Sequence, residues 1–136
     1  MNSNFSHQNG NGAYILVVDD EKSVLDMASI IFEMRGYNVI TANNAFTAFE
    51  TYEKHFKHIK AVLLDVAMPV MDGVALSRIL LEINPEAQII LSSGQNSNLN
   101  ELELRSLGIK HFLPKPYNAA QLVKTIGEAV HGKTQE

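Results

Sequence analysis

The sequence contains no cysteine, which excludes disulfides, thiolate metal sites and a cysteine nucleophile. It also has no apolar run approaching the roughly 18 residues that a membrane-spanning helix needs. The first residues, MNSNFSHQNGNGA, have neither a basic start nor an apolar core, so they do not read as a signal peptide. A cytoplasmic protein with no membrane contact is expected. Basic residues are few, 11 against 15 acidic, for a net charge of -4. With no basic stripe, direct binding to nucleic acid is not expected.

The 136 residues suit one domain with a substantial core. Residues 1–12 are rich in Asn, Ser and Gly and predict a flexible lead-in. Residues 13–131 predict the folded domain, and residues 132–136 a flexible tail. Within the domain, short apolar runs alternate with amphipathic segments of helical length. The runs are YILVV (14–18), YNVIT (37–41), KAVLL (60–64), AQIIL (87–91) and IKHFL (109–113). The helical segments are 21–35, 45–57, 74–83, 99–107 and 118–131.

That alternation predicts an α/β fold with a parallel sheet and helices on both faces, because parallel strands need crossover connections and right-handed crossovers lay helices over the sheet. YILVV, AVLL and IIL are continuously apolar, as strands buried on both faces should be. The more mixed YNVIT suits an edge. Gly36 and Gly108 stand where helices should stop, and Asp72, Asn98 and Asn118 where N-caps are wanted. Val24, Ala28, Ile31 and Phe32 recur at helical spacing and predict the core-facing stripe of the first helix.

Chemistry-bearing residues fall at the carboxyl ends of the strands, where open parallel sheets bind ligands. The first strand runs into Asp19, Asp20 and Glu21, the third into Asp65, the fourth into Ser92 and Ser93, and the fifth ends near Lys115. Two carboxylates about 4 Å apart repel by roughly 4 kcal/mol at an effective dielectric near 20. A hard divalent cation such as Mg2+ would offset this, since it takes carboxylate oxygens together with water and phosphate. Asp65 can then serve as a carboxylate nucleophile toward phosphorus, with Lys115 neutralising phosphoryl oxygens and Ser93 donating a hydrogen bond. Each residue taken singly also has a plainer role. Asp19 to Glu21 can cap a helix, Asp65 and Ser93 can be turn residues, and Lys115 can be a solvated lysine.

As a set, VVDDE at 17–21, LLD-x-x-MP-x-MDG at 63–73, Ser93-Gly94 and Lys115-Pro116 resemble the receiver domain of two-component response regulators. The separations of Asp20, Asp65, Ser93 and Lys115 agree with that family too, and the resemblance spans residues 14–130. It implies a flavodoxin-like, doubly wound, five-stranded sheet of order 2-1-3-4-5. It further implies that Asp65 accepts a phosphoryl group from a phosphohistidine on a histidine kinase or phosphotransfer protein. Mg2+ would be held by Asp19, Asp20, Asp65 and the backbone carbonyl of Ala67. Ser93 and Lys115 would bind the phosphoryl oxygens, beside a cis peptide before Pro116. Output would run through Ser93 and an inward-turning Phe112 to a surface of the fourth helix, fifth strand and fifth helix. That surface would meet a downstream target protein or support a phosphorylation-dependent dimer.

The chain departs from the commoner pattern at two switch positions. Ser93 replaces a threonine and keeps its hydroxyl, while Phe112 lacks the hydroxyl of the frequent tyrosine. Ala67 and Gln95 flank the reaction centre and are expected to influence phosphoryl lifetime. Residues 132–136 follow the last predicted helix, leaving a free-standing regulator or the receiver portion of a hybrid histidine kinase.

Three other readings compete. A haloacid-dehalogenase-like phosphohydrolase would want Asp-x-Asp, but Ala67 stands two after Asp65, so a signalling domain rather than a turnover enzyme is expected. A flavin-binding flavodoxin would not place Asp19, Asp20 and Glu21 against phosphate. A non-phosphorylated interaction module would not need the whole acidic set. His55 and His58, three apart, could share a helix face and hold a metal, but near a helix C-terminus they suit the dipole better. His7, His111 and His131 show no partner pattern.

Overall fold

The fold is described from a computed structural model over residues 10–94 and 99–132. Strands β1 (Tyr14–Val18), β2 (Asn38–Ala42), β3 (Ile59–Asp65), β4 (Ile89–Ser93) and β5 (His111–Pro114) alternate with helices α1 (Lys22–Glu33), α2 (Ala45–His55), α3 (Gly73–Ile83), α4 (Glu101–Ser106) and α5 (Ala119–His131). The strands form one parallel sheet in the order β2-β1-β3-β4-β5, as expected. The three continuously apolar runs are its central strands. The order in which successive strands are added reverses between β1 and β3, so the crevice at their carboxyl ends is the natural ligand position.

Side chains alternate between the two faces along each strand. Leu16, Val18, Val62, Leu64, Ile89 and Leu91 face a core closed by Ala48 and Tyr52 of α2, Leu76 and Leu80 of α3, and Leu104 of α4. Ile15, Val17, Ala61, Leu63 and Ile90 face a second core closed by Leu25, Ala28 and Phe32 of α1 with Leu122, Ile126 and Ala129 of α5. In α1, Leu25 takes the deep position that the spacing gave to Val24, which is only half-buried. Ile31 packs at that core's margin.

The local punctuation has physical counterparts. Gly36 and Gly108 follow their helices at φ +89° and +107°, where a Cβ would clash with the backbone. Asp72 Oδ1 accepts from the Ala75 N–H at 2.9 Å, and Asn118 and Gln121 form a reciprocal capping box on α5. Asn98 and Gln95 lie outside the described residues. The cap of α4 is Asn100, whose Oδ1 accepts from the Glu103 N–H at 3.1 Å, and the helix is shorter than the periodicity suggests. The last part of the expected lead-in is held: Gly10 N–H donates to Arg35 O at 3.0 Å and Gly12 N–H to Gly36 O at 2.8 Å. His58 sits in the turn beyond α2, its N–H donating to His55 O, so the two histidines do not share a helix face.

Gly73 opens α3 directly against the residue that ends β3. A Cβ there would press into the Asp65 carbonyl oxygen and come within 2.9 Å of Val66 Cα. Gly73→Ala is therefore expected to lower stability by about 1–3 kcal/mol, the usual cost of overpacking, measured by urea denaturation. Full stability in this variant would mean that the turn has room to spare.

Candidate functional site

Three strand ends converge on one rim. Asp65 is the last residue of β3 and Asp19 directly follows β1; both are buried, at 5% and 3% exposure, whereas Asp20 is exposed. One carboxylate oxygen from each of Asp19, Asp20 and Asp65 lies within 4.8 Å of the others. Lys115, just past β5, reaches across with its Nζ 3.1 Å from Asp19 Oδ2 and 3.3 Å from Asp65 Oδ1. Its backbone N–H donates to Ser93 O at 2.7 Å, which ties the lysine to the end of β4. The Lys115–Pro116 peptide is cis.

The plainer roles fit this geometry poorly. Glu21, not either aspartate, is the N-cap of α1, and it makes no side-chain cap bond. Lys115 is only 23% exposed, so it is not a solvated lysine. Asp65 Oδ1 does accept from the Ala67 N–H at 3.3 Å, a local turn contact, but it also meets the ammonium. Oδ2 of Asp65 has no protein donor among the described residues.

Burial pushes the Asp65 carboxyl above its ordinary range, and the charge of Asp19 pushes it further; Lys115 and the Ala67 N–H only partly offset them. Burial acts to lower the Lys115 pKa, but the hydrogen bonds and charges of Asp19 and Asp65 outweigh it and raise the ammonium above its usual value. For a carboxyl raised on folding, the stability it contributes is full below the unfolded value near 3.8 and is lost as pH rises through the folded value. Without divalent cations, Asp65→Asn is therefore expected to be more stable than the unaltered chain at pH 7 and to lose that advantage below pH 4. Denaturant titrations at the two pH values with a chelator check this; an Asn variant less stable at pH 7 would show that the lysine fully compensates the charge.

The carboxylate oxygens are hard donors at a spacing one ion can span, which fits a divalent cation. No other such cluster occurs among the described residues. Ser93 is half-buried at the end of β4, Ala67 is exposed beside Asp65, and Phe112 is half-buried on β5. Two neighbours escaped the sequence reading. The Arg105 guanidinium of α4 stacks 5.0 Å from the Phe112 ring centroid, a cation–π contact that pattern alone does not announce. The other is Tyr117, two residues past Lys115, whose buried hydroxyl was signalled only by its position in the Lys-Pro-Tyr run.

Comparison with known proteins gives this geometry a context. The profile described as "Response regulator receiver domain" matches residues 15–127. An uncharacterized transcriptional regulatory protein of Bacillus subtilis, YesN, is 37% identical over 119 residues, covering 85% of this chain and 32% of that one. The sensor kinase CckA of Brucella abortus is 34% identical over 116 residues, 85% of this chain and 12% of the kinase. The chain thus spans a minor part of these relatives. Among solved structures, a response regulator receiver domain protein from Clostridium thermocellum superposes with a TM-score of 0.83 at 28% identity, covering 88% of this chain and 94% of that one. A chain of a CheX-CheY-BeF3-Mg complex from Borrelia burgdorferi gives 0.79 at 29% identity, covering 88% of this chain and 90% of that one. No helix among the described residues is long and apolar enough to cross a membrane.

Proposed function

The chain belongs to the response regulator receiver domain family, and from that premise we propose that it is a phosphoacceptor switch in which Asp65 takes a phosphoryl group from a phosphohistidine on a partner kinase or phosphotransfer protein. The observation that carries the reading is the single rim holding three close carboxylates and the Lys115 ammonium between two of them. Oδ1 of Asp65 is engaged by Lys115 and Ala67, which leaves Oδ2 as the attacking atom. As Oδ2 bonds to phosphorus, the bond from phosphorus to the donor's imidazole nitrogen breaks and that nitrogen takes up a proton.

Asp19 and Asp20, with Asp65 and the carbonyl of Ala67, would hold Mg2+. When bound, the ion neutralises negative charge on the phosphoryl oxygens and on the carboxylates. Lys115 binds a phosphoryl oxygen from the opposite side, and Ser93 donates a hydrogen bond to another. Transfer requires Lys115 to turn part of its hydrogen bonding from the aspartates to the incoming group.

Output follows from the added charge. Ser93 moves toward the phosphoryl group, and Phe112 turns inward, leaving its stacking partner Arg105. Because Arg105 belongs to α4, that step reshapes the surface of α4, β5 and α5, which would meet a downstream target protein or a second copy. The relatives include transcriptional regulators and a sensor kinase, so both a regulator and a hybrid kinase are suitable settings.

Intact mass measured after exposure to acetyl phosphate tests the reading. One phosphoryl group should be gained with Mg2+ and none with a chelator. An unaltered chain that gains none under either condition would overturn it.

A further inference from the structure

Ser92 and Tyr117 carry hydroxyls that the proposed chemistry does not use. Both oxygens are buried and neither forms a hydrogen bond among the described residues; Ser92 as a whole is 2% exposed. A buried hydroxyl without a partner is costly, and native structures rarely keep two without a reason.

The sheet register places Ser92 beside the reactive centre. Ser92 pairs with Asp65 on one side and with Leu113 on the other. Leu63, Ile90 and Leu113 all face the core beneath α1 and α5, so alternation puts Asp65 and Ser92 on that same face. The Tyr117 ring packs against that core as well. Burial raises the phenol's pKa, and the charges of Lys115, Asp19 and Asp65 together with the adjacent Ser92 hydroxyl act on it. The two hydroxyls therefore lie on the same face of the sheet, the Ser92 hydroxyl near enough to act on the phenol.

The end of β4 already holds both chain segments that make the site. Ser92 O accepts from the Val66 N–H at 2.9 Å, just past Asp65, and Ser93 O accepts from the Lys115 N–H at 2.7 Å. Those bonds stop at Lys115; beyond it the Tyr117 ring packs against the core and Asn118 caps α5.

We propose that Ser92 and Tyr117 are a positioning pair, whose hydroxyl-to-hydroxyl bond clasps residues 115–117 to β4 and holds the Lys115 ammonium between Asp19 and Asp65. The proposal rests on the receiver reading for its effect on phosphoryl transfer, though the clasp itself is a property of the fold. Tyr117→Phe removes one oxygen and keeps the ring, so the packing core is preserved. Ser92→Ala removes the other partner.

The test measures labelling by acetyl phosphate with Mg2+, followed by intact mass, beside Mg2+ affinity by calorimetry. Each single variant is expected to label about threefold to tenfold more slowly, the size of one net hydrogen bond expressed as a rate. The double variant should be no slower than either single one. In a Lys115→Met background, neither change should alter the residual rate. Mg2+ affinity should hold within about twofold because the metal-facing carboxylates are untouched. Ser92→Thr, which keeps a hydroxyl, should restore the rate.

Unchanged labelling in Tyr117→Phe, additive losses in the double variant, or a loss that persists without Lys115 would overturn the pair. Should Tyr117→Phe unfold, Ser92→Ala and Ser92→Thr carry the comparison. An unaltered chain that takes no label speaks against the receiver chemistry itself, whereas a labelled chain with indifferent variants speaks against the pair alone.

Discussion

Asp65→Asn is expected to gain no phosphoryl group from acetyl phosphate and Mg2+ under conditions in which the unaltered chain gains one. The reason lies in the geometry of one residue. Asp65 ends the central strand β3, is nearly buried, and has one oxygen without a donor among the described residues. An amide keeps the shape but supplies no carboxylate oxygen to attack phosphorus. The remaining carboxylates do not substitute: Asp19 is buried and engaged by Lys115 and by the Glu21 N–H at 2.9 Å, while Asp20 is exposed. Intact mass decides the matter, with peptide mapping to locate any label. Labelling of Asp65→Asn to the same extent as the unaltered chain would move the acceptor to another residue.

Lys115→Met should have the second largest effect, and it divides by condition. For chemistry, removing a preorganised donor to the phosphoryl oxygens is expected to slow acceptance by about 10²-fold or more. For stability, the same change leaves the buried Asp19 and Asp65 facing each other without their cation. Breaking a buried pair costs about 3–5 kcal/mol, and the lower end applies here because Lys115 is 23% exposed. Mg2+ should recover much of that loss by binding the native state. Urea denaturation with Mg2+ and with a chelator measures the difference; a variant equally stable in both would show that the ammonium is not what makes the crowding tolerable.

Much of this arrangement was legible in the residues, for reasons that differ by element. YILVV, AVLL and IIL are apolar on both faces because β1, β3 and β4 are central, and YNVIT is mixed because β2 is an edge. Asp72 and Asn118 announce their helices because short polar side chains satisfy free N–H groups. Gly73 closes the LLD-x-x-MP-x-MDG pattern, but its tight approach to the Asp65 backbone is a three-dimensional fact. The position of Leu25 rather than Val24 in the α1 core reflects the angle at which the helix meets the sheet, which periodicity does not give. α4 is brief and carries a single buried residue, Leu104, so its pattern bounded it poorly. Arg105 over Phe112, from the successive elements α4 and β5, and Tyr117 near Ser92 are tertiary placements that no local signal marks. Asp19, Asp20, Asp65 and Lys115 were legible only as a set, since singly each has an ordinary structural use.

The acidic rim is most directly tested by calorimetric titration of the metal-free chain with Mg2+, compared with Asp20→Asn. Asp20 is the exposed member of the cluster, so the variant should fold normally and isolate the effect on the ion. One Mg2+ should bind the unaltered chain, with affinity weakened about tenfold or more in Asp20→Asn. Equal binding by the two, or no binding by the unaltered chain, would contradict the assignment of these carboxylates to a cation-assisted phosphoacceptor site.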